Sequence, residues 1–355
     1  MGTRGSEVGI AVVGYGYWGP NLARNVAATS RARLVSVCDR DALARQRASA
    51  RHRDTRVTDD WDSVLADEDV DAVVVALPLP LHHSFALEAL EAGKHVLVEK
   101  PLAGSVAQCD ELIRTALERE RVLMVGHTFE FNPAVRLVGE YLRADELGEP
   151  YYVSMRRTNL GIVRDDENVM WDLAPHDISI LIHWLQRAPL SVNVTGAALL
   201  QPGIEEVVFM SIRFEDDIIG HVHCSWLDPN KLRDATVVGS RKMAVYNEMS
   251  SDMKVLLYDK GIVKQRSLGR YETFAGFQML ARAGDVLVPK IEPSEPLALE
   301  VEHFVECIVD GRAPVTDGVS GRRVVAVLEA AQRSLEGNGA AEPVVPAPAP
   351  MLGAP

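Results

Sequence analysis

The sequence predicts an α/β protein in two parts: a doubly wound parallel sheet, then an α+β region whose sheet is largely antiparallel. Three observations carry this. Short β-branched runs alternate with helical patterns up to about Gly126, alternating apolar and polar runs dominate from Tyr151 onward, and a glycine-rich turn joins the first strand to the first helix.

Val8 to Val13 is a β-branched run bounded by glycine, and Leu22, Ala23, Val26 and Ala27 then recur at helical spacing. Leu34 to Cys38 reads as a second strand, Asp41 to Ala50 as a helix, and Ala72 to Leu77 as a strand covered on both faces. Ser84 to Glu91 reads as a helix closed by Gly93. His95 to Val98, Ser105 to Glu120 and Val122 to Val125 continue as strand, helix and strand. This order predicts right-handed crossovers. In the second half, YYVSMRR, VVFMSIRF, IIGHVHCSW, TVVGS and KVLLYD suit strands with one buried face. Helices are expected at Ala134 to Arg143, His176 to Leu185, Leu297 to Asp310 and Gly321 to Leu335. The expected domains are 1–127 and 128–335, with 336–355, rich in Pro, Ala and Gly, as a disordered tail.

With 355 residues, 47% hydrophobic and 25% charged, the chain is long enough for two cores. Its 37 basic and 50 acidic residues give a net charge of −13 without a basic cluster, which argues against nucleic acid and anionic membrane as partners. No stretch of about 18 apolar residues occurs and the N-terminus lacks a signal-peptide pattern, so a cytoplasmic protein is expected. Cys38, Cys109, Cys224 and Cys307 lie far apart, as buried thiols rather than a disulfide or zinc framework.

Gly14, Gly16 and Gly19 form G-x-G-x-x-G between strand and helix. There, glycines allow a tight turn and close backbone approach to a pyrophosphate, which the first N–H groups of the helix then face. Pro20 fits the first helical turn. Asp39 ends the second strand 20 residues after Gly19, where a carboxylate accepts from both adenosine ribose hydroxyls; this favours NAD. Arg40, beside it, is able to meet a 2′-phosphate, which keeps NADP open.

Glu99, Lys100 and Pro101 close a parallel strand at its carboxyl end, where open α/β sheets bind ligands. A lysine there can polarise a carbonyl or, once desolvated, act as a base. Asp172 and His176 stand four residues apart in WDLAPHDISIL. If Pro175 opens a helix, His176 and Asp177 fall in its first turn and Asp172 just before it. His176 is then suited to shuttle a hydroxyl proton, and Asp172 to orient substrate or lysine. Taken singly, each of these residues has an ordinary structural use. His221 and His223 share one strand face, but no third ligand has suitable spacing, so no metal is expected.

GYGYWGPN, PLPLHHSFALEALEAGKHVLVEKPLA, VGHTFEFNPAV and WDLAPHDISIL together resemble the Gfo/Idh/MocA oxidoreductases, over Val8 to Leu335. The W-G-P-N, G-H-T-F-x-F-N-P and N-L-G…W-D-L-x-P-H-D patterns are most similar to its nucleotide-sugar 3-dehydrogenases and 3-ketoreductases. The resemblance implies an N-terminal Rossmann domain and an open-faced second sheet suited to homodimer or homotetramer formation. It makes Lys100 the EKP lysine, Asp172 and His176 the D-x-x-x-H pair, and His82, preferred to His83 for its spacing to Ala86 and Gly93, the P-x-x-x-H residue near the nicotinamide. Tyr17, Trp18, Leu77, Pro78, Glu99 and Pro101 join the expected cofactor site, and the Lys100–Pro101 bond is expected to be cis. His127, Asn132, Asn159, Arg164, Lys231 and Arg233 are substrate-side candidates, the cations suited to a diphosphate.

The expected reaction is NAD-dependent oxidation of a C3 hydroxyl of a nucleotide sugar, through hydride transfer, to a 3-keto sugar. Three alternatives stay open: NADPH-dependent reduction of a 3-keto nucleotide sugar in deoxysugar assembly, 3-oxidation of an aminoglycoside-type pseudo-oligosaccharide, and a non-catalytic dinucleotide sensor. Asp39→Ala is expected to weaken NAD turnover relative to NADP turnover; unchanged NAD affinity would remove Asp39 from the cofactor site.

Overall fold

The computed structural model describes residues 7–161, 163–266 and 277–347. The chain divides into two compact units. One comprises Met1–Asn132, Ser294–Glu329 and Pro346–Pro355, the other Pro133–Pro293 and Ala330–Val345.

The first unit begins with β1 (Val8–Val13), α1 (Gly19–Ala28), β2 (Ala32–Cys38), α2 (Ala42–Arg51), β3 (Arg56–Thr58), α3 (Trp61–Leu65) and β4 (Ala72–Val75). It continues through α4 (Leu79–Glu91), β5 (His95–Glu99), α5 (Val106–Glu118) and β6 (Leu123–Gly126), then a 3-10 turn at Thr128–Phe131. The six strands form a sheet of order β3-β2-β1-β4-β5-β6, and every pairing in it is parallel. Burial on both faces explains the continuous apolar runs: all four residues of β4 and all six of β1 are buried. The sequence reading misses β3 and α3, which are too short to show periodicity. Helix α4 starts five residues earlier than expected, because Pro80 lies in its first turn, where a missing N–H costs nothing. Asp41, Asp60 and Ser105 cap α2, α3 and α5 through their side chains.

The second unit contains α6 (Pro133–Arg143), β7 (Pro150–Thr158), α7 (Val169–Leu185), β8 (Pro189–Ala197), β9 (Val207–Phe214), β10 (Ile219–Ser225), β11 (Leu232–Gly239), β12 (Met243–Asn247) and β13 (Val255–Tyr258). The ribbon β14 (Gly261–Arg266) with β15 (Phe277–Arg282), and β16 (Val286–Leu287), follow. The later elements of the chain are α8 (Pro296–Asp310), α9 (Gly318–Glu336) and β17 (Glu342–Pro343). The large sheet has the order β16-β13-β12-β11-β7-β10-β9-β8-β17 and is antiparallel except where β10 lies parallel to β7. Its inward residues, such as Val153, Met155, Val222 and Val237, are buried, and α7 packs on β7, β9 and β10. On the other face Tyr152, Phe209 and Ile219 are exposed.

Three expectations are corrected. Helix α7 begins at Val169 rather than at Pro175, which lies inside it. The Asn168 side chain accepts from Trp171 N at 3.2 Å and starts the helix. The buried stripe Met170, Ala174, Ile178 and Leu181 compensates for the N–H that proline cannot supply to the Trp171 carbonyl. Helix α8 belongs to the first unit, not to a continuous 128–335 domain, because Leu297, Val301, Phe304 and Val305 complete the core formed by Val8, Ile10, Leu22 and Leu97. The expected tail is in part ordered: α9 runs to Glu336, and β17 pairs with β8 at Glu342↔Val192. Residues 348–355 lie outside the described residues. All four cysteines are buried and free.

Phe304→Ala is expected to cost about 3–5 kcal/mol, because the ring is fully buried. A urea titration showing a loss below about 1 kcal/mol would exclude α8 from the N-terminal core.

Candidate active site

In the first unit, parallel register brings the carboxyl ends of the strands into line. Gly14 has φ of +91°, and a Cβ there would collide with the Ala76 carbonyl. A Cβ at Gly19 would meet the Gly14 carbonyl, so both positions demand glycine for the turn to close against β4 and α1. Gly16 instead faces open space. Trp18 supplies no side-chain cap to α1, whose N-terminus is left to face an anion. The Asp39 carboxylate accepts from Tyr15 N at 2.6 Å and from Asp41 N at 2.8 Å, so it fixes the glycine turn as well as ending β2. Arg40 is exposed, as are Tyr17 at 88% and Trp18 at 37%. A tight turn, open space at Gly16 and an uncapped helix start fit the pyrophosphate of a dinucleotide.

At the end of β5, Lys100 precedes Pro101 through a cis peptide bond, as the resemblance implies. His82 is buried, its Nδ1 2.8 Å from the Pro101 carbonyl and its Nε2 2.7 Å from the Leu77 carbonyl. It therefore braces the loops after β4 and β5, with both ring nitrogens turned to backbone; His83 pairs with Glu111 at 2.8 Å instead. Pro78 forms the N-cap of α4. His127 follows β6, is fully buried, and has no hydrogen-bond partner for either ring nitrogen among the described residues. Burial, reinforced by nearby Lys100, pushes its pKa down to about 3, so it is a neutral ring at working pH. Asn132 is buried at the end of the 3-10 turn.

Glu99 packs against Gly126, where a Cβ would stand 3.2 Å from its carboxyl group. Its Oε2 accepts from Lys100 N at 3.3 Å. Burial pushes its pKa up to about 7, with smaller downward pulls from Lys100 and the Trp18 indole. Behind it lies Glu300 of α8, fully buried. Burial first, then the charge of Glu99, holds Glu300 well above the usual carboxylate range. Sequence reasoning missed Glu300. The signal was there: Leu297, Glu300, Val301 and Phe304 occupy one stripe of α8, so a carboxyl stands at a core position.

In the second unit, Asp172 lies in the first turn of α7 and His176 one turn on, on the same face. Asp172 Oδ2 accepts from Trp226 Nε1 at 3.1 Å, just beyond β10. Asp177 turns to the sheet and takes the Arg157 guanidinium at 3.0 and 2.7 Å, a buried bidentate pair. Neither Trp226 nor this pair was found in the sequence, since both depend on which strands become neighbours. The substrate-side candidates separate. Arg164 is taken by Asp166 and by Glu167 at 2.9 Å, while Asn159 and Lys231 are exposed and Arg233 is half-buried. His223 stacks on Phe209 with centroids 4.4 Å apart, and the described residues contain no group arranged to hold a metal.

Glu99 holds its proton more tightly in the folded chain than its ordinary value of 4.5 would allow unfolded. Folding is therefore less favoured as pH rises from about 4.5 to about 7 and levels off above, with Glu300 adding the same sign. Glu99→Gln is expected to make this slope shallower, read as urea midpoints at pH values on either side of about 6; equal slopes would refute the buried-acid assignment.

Known proteins align with this arrangement. Residues 8–127 match the model of an oxidoreductase family with an NAD-binding Rossmann fold, and residues 135–245 match the Gfo/Idh/MocA C-terminal domain. UDP-N-acetylglucosamine 3-dehydrogenase of Acidithiobacillus ferrooxidans is 29% identical over 89% of this chain and 93% of its own. Its solved structure superposes with a TM-score of 0.78, at 26% identity over 93% of this chain and 98% of that one. GenD2 from gentamicin A biosynthesis, solved with NAD, gives 0.80 at 26% identity over 97% and 98%. The NAD(+)-dependent scyllo-inositol 2-dehydrogenase of Bacillus subtilis is 25% identical over 88% of this chain and 90% of its own. No helix among the described residues is long and apolar enough to cross a membrane. With its glycine turn, its strand-end lysine and both domain matches in place, the chain belongs to the Gfo/Idh/MocA family and is an NAD-binding oxidoreductase acting on CH–OH groups.

Proposed function

We propose that this enzyme oxidises the C3 hydroxyl of a nucleotide sugar to a 3-keto sugar. The observation that carries the reading is likeness over nearly the whole chain to a UDP-N-acetylglucosamine 3-dehydrogenase, together with Lys100, Asp172 and His176 in the expected motifs. The chemistry that bound NAD would supply is acceptance of the C3 hydrogen as hydride. Lys100 and His176 are the groups assigned to handle the hydroxyl proton as the carbonyl forms. Asp172, held by the Trp226 indole, orients the substrate. His127, kept neutral by burial, contributes hydrogen bonds rather than proton transfer. Gly14, Gly16, Gly19 and Asp39 hold the dinucleotide.

A second reading, oxidation of an aminoglycoside-type pseudo-oligosaccharide, draws on the likeness to GenD2. NADH formation over UDP-sugars, dTDP-sugars and free aminoglycosides separates the two: activity confined to the nucleotide sugars supports the first, activity confined to the aminoglycosides the second. Consumption of NADPH by 3-keto sugars, with no forward activity, would instead make the enzyme a reductase. Lys100→Met is expected to lower kcat about 100- to 10,000-fold while leaving NAD affinity within about threefold. NAD binding with no sugar oxidised, and no effect of Lys100→Met on any phenotype, would favour a sensor.

A further inference from the structure

The loop between β8 and β9 is built around one carboxylate. Glu206 is fully buried, and its side chain accepts from Leu199 N at 2.6 Å, Leu200 N at 3.1 Å and Gln201 N at 3.0 Å. Three successive N–H groups turned to one place make a concavity suited to an anion, and the chain fills it with its own. Leu199 and Leu200 expose their side chains, at 65% and 62%, so burial of apolar surface is not what holds this loop. The chain reverses between Gln201 and Ile204 through Pro202 and then Gly203, whose φ of +78° suits the third position of a type II turn.

What the loop returns to is the start of α7 and the residue that grips Asp172. The backbone of Glu206 extends the β9 ladder by one residue: its N–H donates to the Ala197 carbonyl at 3.1 Å, and its own carbonyl accepts from Trp226 N at 3.0 Å. Trp226 is buried, and its indole donates to Asp172 Oδ2 at 3.1 Å. The preceding residue reaches the helix itself. The Glu205 carbonyl accepts at 2.9 Å from the N–H of Val169, where α7 begins. Its Oε2 accepts from the Asn168 amide at 3.0 Å, while Asn168 caps α7 through Trp171 N. Two consecutive residues thus hold both the helix that carries Asp172 and the indole that bonds its carboxylate, so a displacement of either glutamate is passed to Asp172. A buried carboxylate is costly unless its oxygens are bonded. Here the bonds it makes fix the segment leading into those two attachments.

We propose that Glu206 is a positioning residue for the reaction: by locking the loop at Leu199, Leu200 and Gln201 it fixes Trp226, and through the indole the direction of the Asp172 carboxylate. That Asp172 orients the substrate rests on the function proposed above; that Glu206 sets the place of Asp172 does not. Glu215 offers a comparison within the same hairpin. It too accepts a loop N–H, that of Ala188 at 3.0 Å, but it stands at the far end of the eight-residue β9.

The test uses the full chain with isotope-labelled tryptophan, in which the Trp226 indole N–H resonance is assigned by its loss in Trp226→Phe. Glu206→Gln places an amide before the three N–H donors and is expected to shift that resonance toward its position in Asp172→Ala. Glu206→Asp, which keeps a carboxylate on a shorter stem, should shift it less, and is read in the same way should Glu206→Gln not fold. Glu215→Gln should leave it in place. In turnover, Glu206→Gln is expected to lower kcat about 10- to 100-fold with NAD affinity within about threefold, and Glu206→Asp to recover part of the rate. If Glu206 acts through Asp172, the loss is absorbed in the Asp172→Ala background, where adding Glu206→Gln changes kcat by less than about threefold. An indole resonance unmoved by both Glu206 variants, or a kcat loss that multiplies in full onto that of Asp172→Ala, overturns the proposal. Should no sugar be oxidised, the function proposed above fails, while the indole resonance still decides whether Glu206 places Asp172.

Discussion

Parallel pairing of β1 with β2 and β4, and of β5 with β4 and β6, is the constraint on which the cofactor half depends. Val13 is level with Cys38 and Val75, Val75 with Val98, and Val98 with Val125. The residues that follow each strand must therefore emerge along one edge: the glycine turn after Val13, Asp39, Leu77, Glu99 with Lys100, and His127. Parallel strands need crossovers, and here each crossover is a helix returning to the opposite end of the sheet. That leaves the carboxyl edge free for function, and Asp39 ties two of its loops together through Tyr15 N.

The same edge carries the least comfortable electrostatics in the unit. Glu99 and Glu300 are buried side by side, and His127 is a neutral ring against Lys100. A core built for stability alone would place apolar residues at these positions, since unpaired polar groups in the interior cost more than they return. Glu300 matters most in this respect, because its neighbours along the stripe of α8, Leu297, Val301 and Phe304, are ordinary core residues. Burial and the charge of Glu99 both favour the neutral form of Glu300, which limits the negative charge gathered around Glu99.

What could be read from the sequence follows a physical boundary between local and long-range information. The glycine turn, Asp39 and the strand-end lysine were legible, because each is fixed by a few neighbouring residues and by period-two or helical spacing. Pro175 misled, because a local rule about proline was outweighed by the buried stripe of α7 and the Asn168 cap, which act over several turns. The pairing of Arg157 with Asp177, and of Arg157 with Arg233 across β7 and β11, was not legible at all. Strands far apart in the chain become neighbours only through the whole sheet order, and a shift of one residue would turn Arg233 to the other face. The assignment of α8 to the first unit has the same origin: its amphipathic pattern says that it packs, not on what.

Helix α7 shows how one element can serve both kinds of demand. His176 and Asp177 are consecutive, yet an advance of about 100° per residue points them to different surroundings. Asp177 turns inward and bonds the helix to β7 through Arg157, while Asp172 and His176, one turn apart, share the other face. The ion pair is buried, so losing one partner would leave a charge stranded in the interior; the pair therefore resists any rotation of α7 that would separate them. Since Asp172 and His176 share a rigid backbone with Asp177, their direction is fixed by a contact neither of them makes. A proline within the helix is then tolerable, because the side chains around it, and not the missing hydrogen bond, determine where the helix lies.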